Sequence, residues 1–230
     1  MRAGEVTNVP ILMGGARDEL SLYVAYAEQA GSHTTAQTYP AMIASYYGDA
    51  APKVLASYPL SPDVLPPALL GRVLSDFNPV VAINNCIYLQ TAATLARKVD
   101  IRVFEFADDN APVLGVGIVT STDPGFPLGP VHSAALNYIF PNMSNTAKID
   151  APDLPAPSQA LSAQMVALWS RFAATGQPTA PGVVAWPRYA GGRTVLRLRP
   201  GEVGLYDAEA AHKCRFWASV YPQRLDAVAQ

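Results

Sequence analysis

Near the start of the chain, residues 9–13 form a short apolar run, which is followed by two glycines, Gly14 and Gly15, and then by two carboxylates, Asp18 and Glu19. A continuous apolar run of this length is typical of a strand that is buried in a parallel sheet. Functional side chains often lie on the loops after such strands, because the sheet holds those loops in place. The pattern therefore predicts a strand over residues 9–13, a turn at the glycines and a candidate functional carboxylate after the turn.

Helical periodicity recurs along the chain and is clearest at residues 158–175, where apolar side chains share one face. Gly176 and Pro178 follow, and both are typical of a helix end. Short helical patterns broken by prolines fill residues 36–70, which favours a helical cap in that region. The predicted helices cover residues 39–47, 53–58, 80–99 and 158–175, with a last helix that begins at Asp207.

Strand patterns alternate with these helices. Residues 101–106 alternate apolar and polar side chains as a strand does, and weaker strand patterns lie at residues 194–198 and 202–205. Residues 108–129 form a long, turn-rich loop of the kind that is usually functional or disordered. Strands that alternate with helices indicate an α/β fold.

Composition excludes several classes of function. The chain has 230 residues, of which 50% are hydrophobic, and this supports a sizeable core. A net charge of −2 with 15% charged residues provides no basic surface, so no nucleic-acid partner is expected. No apolar run reaches the ~18 residues of a membrane span, and the N-terminal residues are too polar for a signal peptide. No histidine, aspartate and glutamate cluster has metal-ligand spacing, and neither a metal nor a cofactor is expected.

One of the three histidines, His132, lies in a loop rich in glycine and proline, directly before a short apolar segment. A loop histidine on a rigid scaffold can reach a substrate and act as a general base, whereas the alternative is a solvated or structurally bonded histidine. A catalytic imidazole needs a carboxylate on its second nitrogen, which fixes the tautomer and stabilises the imidazolium. Either carboxylate of the pair Asp18 and Glu19 could supply this partner, and Asp18 could instead be a helix cap or an ion-pair partner. His33 and His212 lack a paired motif and are expected to be surface or structural residues.

The two cysteines, Cys86 and Cys214, lie far apart and neither belongs to a C-x-x-C pair. A zinc site or a dithiol redox motif is therefore not expected. The residues alone leave two alternatives open, a pair of buried thiols or a disulfide.

Five segments resemble, in the same order, the type B carboxylesterases, a family that includes cholinesterases and bacterial and fungal esterases and lipases. The first segment is an apolar strand followed by Asp18 and Glu19, and the second surrounds His132. The other three form a C-terminal signature that ends in the sequence C-R-F-W at Cys214. The five segments span residues 10–19, 128–140, 165–178, 186–189 and 214–217.

The resemblance implies an α/β fold that is the C-terminal portion of an α/β-hydrolase, with a few late sheet strands, packed helices and a helical cap. It implies that residues 1–230 form a partial carboxylesterase domain whose lineage hydrolyses small carboxylic esters. It further implies that Glu19 is the acid and His132 the base of a catalytic triad, which agrees with their order along the chain. By the same resemblance, Cys86 and Cys214 form a disulfide, and the full-length lineage is secreted or periplasmic.

The sequence also departs from the family pattern. Leu20 stands where the family usually has glycine, and Ala135 stands where it usually has an acidic residue. Residues 1–230 contain neither a G-x-S-x-G nucleophile motif nor a triple-glycine oxyanion loop. We therefore expect the C-terminal half of an esterase, inactive as an isolated chain, with the missing N-terminal half as a possible partner. The alternative function is a non-catalytic, cholinesterase-like binding or adhesion domain.

Overall fold

The computed structural model of the chain describes residues 7–113, 123–141 and 153–225. The predicted loop at residues 108–129 is therefore described only at its two ends, and residues 114–122 lie outside the described part. Within the described residues, four strands form one sheet in the order β1-β2-β3-β4. The strands are β1 (Ile11–Ala16), β2 (Ile101–Phe106), β3 (Val195–Leu198) and β4 (Gly204–Tyr206).

The sheet is mixed. β1 runs parallel to β2 and β2 runs parallel to β3, whereas β4 pairs with β3 in the antiparallel direction. Parallel neighbours need crossover connections, and here helices provide them, which confirms the α/β class. Among the described residues β1 pairs only with β2, so it lies at an edge of the sheet.

The two glycines lie inside β1 rather than in a turn, which corrects the predicted end of the first strand. A Cβ atom on Gly14 would lie 2.1 Å from the carbonyl oxygen of Phe104 on β2. A Cβ atom on Gly15 would lie 2.2 Å from the ring of Tyr88. The glycines are needed because neighbouring groups approach the strand closely, and the turn follows at residues 17–20.

The helices lie between the strands, and after the last strand, along the chain. The prediction for residues 39–47 is confirmed, and the helix predicted from residue 158 begins two residues earlier. None of the helices in the described part of the chain is long and apolar enough to cross a membrane. The helices are α1 (Ser21–Gln29), α2 (Tyr39–Tyr47), α3 (Ala51–Ser57), α4 (Pro66–Asp76), α5 (Asn85–Ala96), α6 (Leu136–Ile139), α7 (Ala156–Thr175), α8 (Ala208–Ala211) and α9 (Cys214–Val220).

The structure corrects the helix prediction at two places. α4 was not predicted, because Pro66 and Pro67 resemble helix breakers, but proline is favourable in the first turn of a helix. α5 is shorter than the predicted helix over residues 80–99, because the Asn84 side chain caps it by accepting the Ile87 backbone N–H at 3.0 Å. The apolar Val80 before this cap is exposed in the loop.

The last predicted helix is two helices rather than one. Asp207 caps α8 by accepting the backbone N–H of Ala210 at 3.1 Å. Lys213 then adopts a φ of 51°, in the left-handed region, and interrupts the helix before α9. Trp217 on α9 is fully buried and packs against four rings, with centroid distances of 5.2 Å to Tyr47, 5.7 Å to Tyr58, 5.1 Å to Phe77 and 5.0 Å to Phe216.

A disulfide joins Cys86 on α5 to Cys214 at the start of α9, with Cα atoms 5.3 Å apart. Of the two alternatives that the residues left open, the structure contains the pair rather than the free thiols. The bond closes a sequence separation of 128 residues. In the chain-entropy description, a loop of this length stabilises the fold by about 5 kcal/mol.

Candidate active site

Glu19 and His132 lie 113 positions apart in the sequence, and the structure brings their side chains into contact. Glu19 Oε2 lies 2.7 Å from His132 Nδ1. Glu19 belongs to the turn after β1, and His132 belongs to the loop before α6. Backbone hydrogen bonds also join the two loops. The His132 N–H donates to the Glu19 carbonyl at 3.2 Å, and the Asp18 N–H donates to the Pro130 carbonyl at 3.1 Å. The contact is therefore fixed by main chain as well as by side chains.

The Glu19 carboxylate is buried, and the residue is only 4% exposed. Its second oxygen, Oε1, accepts the backbone N–H of Ala16 at 2.7 Å. The hydroxyl of Tyr88 lies 3.5 Å from the same oxygen, at the limit of a hydrogen bond. These donors offset the cost of burying a charge and hold Oε2 toward His132.

The His132 ring is more open than its partner, with 38% of its side chain exposed. The bond to Glu19 uses Nδ1, and among the described residues Nε2 has no hydrogen-bond partner. The hydrogen bond that His132 donates to Glu19 raises the pKa of His132, burial opposes this increase, and the charge of Glu19 adds to it. The arrangement favours an imidazole that can accept a proton at Nε2 while Glu19 stabilises the resulting cation.

The residue after His132 has an unusual backbone conformation. Ser133 adopts a φ of 68°, which is uncommon for a residue other than glycine. Such a conformation costs on the order of 1–3 kcal/mol and is often found at functional sites. Sequence analysis did not single out Ser133, because no local pattern predicts a left-handed serine.

Asp18 does not contact His132 in the structure. Its Oδ2 forms an ion pair with Arg17 Nη2 at 2.6 Å, and Arg17 also reaches Asp109. Burial raises the pKa of Asp18, and the Arg17 charge partly opposes the increase. Asp18 is thus the loop ion-pair partner that the sequence offered as one alternative.

Gly129 allows the loop before His132 to approach this ion pair. It adopts a φ of 66°, and a Cβ atom here would lie 2.2 Å from Asp18 Oδ2. A side chain at position 129 would be strained and would displace the carboxylate. The close approach could not be predicted from the Gly/Pro content of the loop alone.

The sequence contains three aromatic residues, Tyr23, Tyr26 and Phe126, close in number to the acid or the base, and they differ in how near they lie to His132. The Tyr23 ring centroid lies 6.4 Å from that of His132, and Tyr23 is exposed. Tyr26 lies beside Tyr23 at 6.2 Å, whereas Phe126 is buried in the core. Tyr23 is therefore the aromatic side chain of the three that borders the His132 ring directly.

The other two histidines differ from His132 in their surroundings. His33 is exposed and lies 3.1 Å from Glu28. His212 is buried between Asp76 and Glu105, so it is structural rather than a surface residue. In the ranges that the structure describes, no group of three or more histidine, cysteine, aspartate or glutamate residues could hold a metal ion.

Comparison with known proteins agrees with the resemblance seen in the sequence. The model of the carboxylesterase family matches residues 1–217. The curated protein Carboxylesterase 3 of Pongo abelii is 26% identical over 98 residues, which are 41% of this chain. The match covers only 17% of that protein, so the chain aligns with a small part of its relative. Because the family model matches most of the length of this chain, the chain belongs to the carboxylesterase family.

Proposed function

We propose that Glu19 and His132 are the acid and base of a serine-esterase triad that hydrolyses carboxylic esters. The observation that carries this proposal is the 2.7 Å contact between Glu19 Oε2 and His132 Nδ1, which leaves Nε2 without a partner among the described residues. Membership of the carboxylesterase family supports ester chemistry. The geometry and the family therefore favour the same reaction.

In this mechanism the Glu19 carboxylate holds the proton of His132 on Nδ1, so that Nε2 is a free base. Nε2 then accepts the proton of a serine hydroxyl as the serine attacks the ester carbonyl. Glu19 stabilises the imidazolium that forms, and Nε2 returns its proton to the leaving alcohol. A second cycle with water as the nucleophile releases the acid and restores the serine.

The nucleophile of this mechanism comes from outside residues 1–230, because that sequence has no G-x-S-x-G motif. The edge position of β1 supports this part of the proposal. Apolar residues of β1, among them Ile11 and Met13, are only partly buried, and β1 pairs with β2 alone in the described sheet. A nucleophile-bearing segment would add its strand at this edge, since an unpaired apolar edge favours strand addition.

The test uses the chain alone and the chain co-expressed with the nucleophile-bearing half of a related carboxylesterase. Alone, the chain gives no hydrolysis of short p-nitrophenyl esters above background. The combined protein gives hydrolysis that His132→Ala abolishes and that His33→Ala, the exposed histidine, leaves unchanged. Activity that survives His132→Ala contradicts the proposed role of the base.

A non-catalytic binding or adhesion domain is the second candidate function. Ala135 favours it, because an apolar residue replaces the acidic one that the family usually has near the base. In that case the combined protein is folded but gives no hydrolysis. The disulfide supports an oxidising, extracellular or periplasmic location for either function.

A further inference from the structure

A second histidine forms a buried ion cluster that the proposed esterase chemistry does not use. His212, in the turn between α8 and α9, is 4% exposed. Its Nδ1 lies 2.6 Å from Asp76 Oδ1 at the end of α4, and its Nε2 forms a short contact with Glu105 on β2. We call Asp76, Glu105 and His212 the His212 cluster.

The geometry of the His212 cluster favours a protonated ring. A neutral imidazole has one N–H group, but both nitrogens of His212 face carboxylate oxygens. Only the imidazolium can donate to Asp76 and Glu105 at the same time. Burial lowers the pKa of His212, but attraction to Glu105 and the bond and charge of Asp76 outweigh it and raise the pKa to about 10.

Other groups around the cluster extend its hydrogen bonds. The Tyr58 hydroxyl donates to the second oxygen of Asp76 at 2.7 Å, and Trp217 Nε1 donates to Tyr58 at 3.0 Å. The hydroxyl of Tyr206 on β4 lies 3.5 Å from His212 Nε2. Burial raises the pKa of both tyrosines above the ordinary value, and the nearby carboxylates add to it. His212 is therefore the group of this network that changes charge between neutral and moderately alkaline pH.

The disulfide acts on the same part of the chain. Cys214 follows His212 by two residues, and Cys86 Sγ lies 3.5 Å from the His212 carbonyl oxygen. The disulfide joins this segment to α5, whereas the His212 cluster joins it to α4 and β2. Two links of different chemistry thus add to the core packing of Trp217 in holding residues 207–225, which we call the C-terminal segment.

We propose that the His212 cluster and the Cys86–Cys214 disulfide are two separate links on the C-terminal segment, so that this segment detaches only when the cluster loses its proton and the disulfide is absent. The arrangement makes release depend on both pH and oxidation state. An oxidised chain keeps the segment at alkaline pH, and a chain without the disulfide keeps it at neutral pH. The device goes beyond the proposed ester hydrolysis and does not depend on it.

Four forms of the full 230-residue chain test the proposal by amide hydrogen exchange at pH 7. They are the wild type, C86A/C214A, H212Q and the combined variant C86A/H212Q/C214A. Exchange in residues 207–225 is compared with exchange in α7, which serves as the internal reference. His33→Gln in the C86A/C214A background is the matched control, since His33 is exposed and also pairs with a carboxylate.

The expected result is that exchange in the C-terminal segment becomes fast in the combined variant alone. Because breaking a buried ion pair is strongly destabilising, H212Q accelerates exchange of the segment at least about 100-fold in the C86A/C214A background. Relative to exchange in α7, which reports the loss of global stability, exchange of the segment in C86A/C214A alone and in H212Q alone stays far closer to the wild type than to the combined variant. The proposal is overturned if the segment already exchanges as fast in C86A/C214A as in the combined variant, if the combined variant stays protected, or if the segment accelerates no more than α7 does.

A pH series on C86A/C214A provides a second test without any change at His212. The His212 pKa of about 10 in the folded chain lies above the ordinary value of 6.5, so the cluster stabilises the segment fully below pH 6.5. Opening then increases by up to about tenfold per pH unit between pH 6.5 and pH 10, after correction for intrinsic exchange. The wild type shows a smaller increase because the disulfide remains. A flat profile for C86A/C214A overturns the proposal.

Discussion

His132 and His212 both bind carboxylates, but their surroundings suit them to different tasks. His132 has one carboxylate partner and a partly exposed ring, whereas His212 has a carboxylate on each nitrogen and is buried. A base in catalysis must exchange a proton during each cycle, and this requires one nitrogen that a substrate or nucleophile can reach. A histidine with both nitrogens occupied holds its proton instead and contributes to stability. The difference lies in access and partner number rather than in the presence of an acid.

The largest effect that separates the two histidines is on activity. In the chain combined with a nucleophile-bearing half, His132→Ala lowers kcat by about 10⁴-fold or more, as the loss of a triad member does in serine proteases. Steady-state hydrolysis of p-nitrophenyl esters measures this loss. The His33→Ala control stays at the unchanged rate, and a comparable loss for that control would contradict a specific role for His132.

The second effect is on stability, and here His212 matters more than His132. His212→Gln leaves Asp76 and Glu105 without their shared cation, and this lowers the free energy of unfolding by about 3–5 kcal/mol. His132→Gln changes it much less, because its ring is partly exposed. Urea unfolding at pH 7 measures both variants. Equal losses for the two variants would break the distinction between a stabilising and a reactive histidine.

A smaller effect on stability is expected for Gly15, the glycine of β1 that lies against the Glu19 carboxylate. Gly15→Ala places a Cβ atom 2.2 Å from the Tyr88 ring and 2.7 Å from Glu19 Oε1, so it displaces the carboxylate. We expect a loss of about 1–3 kcal/mol in the free energy of unfolding, as for other overpacked sites. Gly204→Ala is the matched control, because nothing lies within 4 Å of its added Cβ atom. Thermal melts in which both variants behave alike would contradict the close packing around Glu19.

Those residues of the candidate site that belong to a recognisable local sequence pattern could be predicted. Glu19 follows an apolar strand, and His132 lies in a Gly/Pro loop, so both appeared as candidates from their own neighbourhoods. Tyr88 and the Ala16 N–H were missed, since they reach Glu19 through packing of α5 against β1 that leaves no sequence pattern. His212 could be given a structural role but no partners, because Asp76 and Glu105 lie 136 and 107 positions away.

The fold shows the same limit. β2 was predicted with its observed bounds, because its apolar pattern is local and is bounded by loops. α4 was missed because its prolines stabilise a first turn while resembling breakers. The break between α8 and α9 depends on the left-handed conformation of Lys213, and lysine is not a residue that marks such a conformation in a sequence.

The titration of His132, followed by NMR on the chain alone, tests the central claim most directly because it needs no nucleophile. With Glu19 bonded to Nδ1, the pKa of His132 lies above the ordinary value of 6.5. In Glu19→Gln the pKa of His132 falls to 6.5 or below, since the negative charge and the charge-assisted hydrogen bond of Glu19 are lost while burial remains. A wild-type pKa at or below 6.5, or one that Glu19→Gln leaves unchanged, would contradict an acid and base pair at this site.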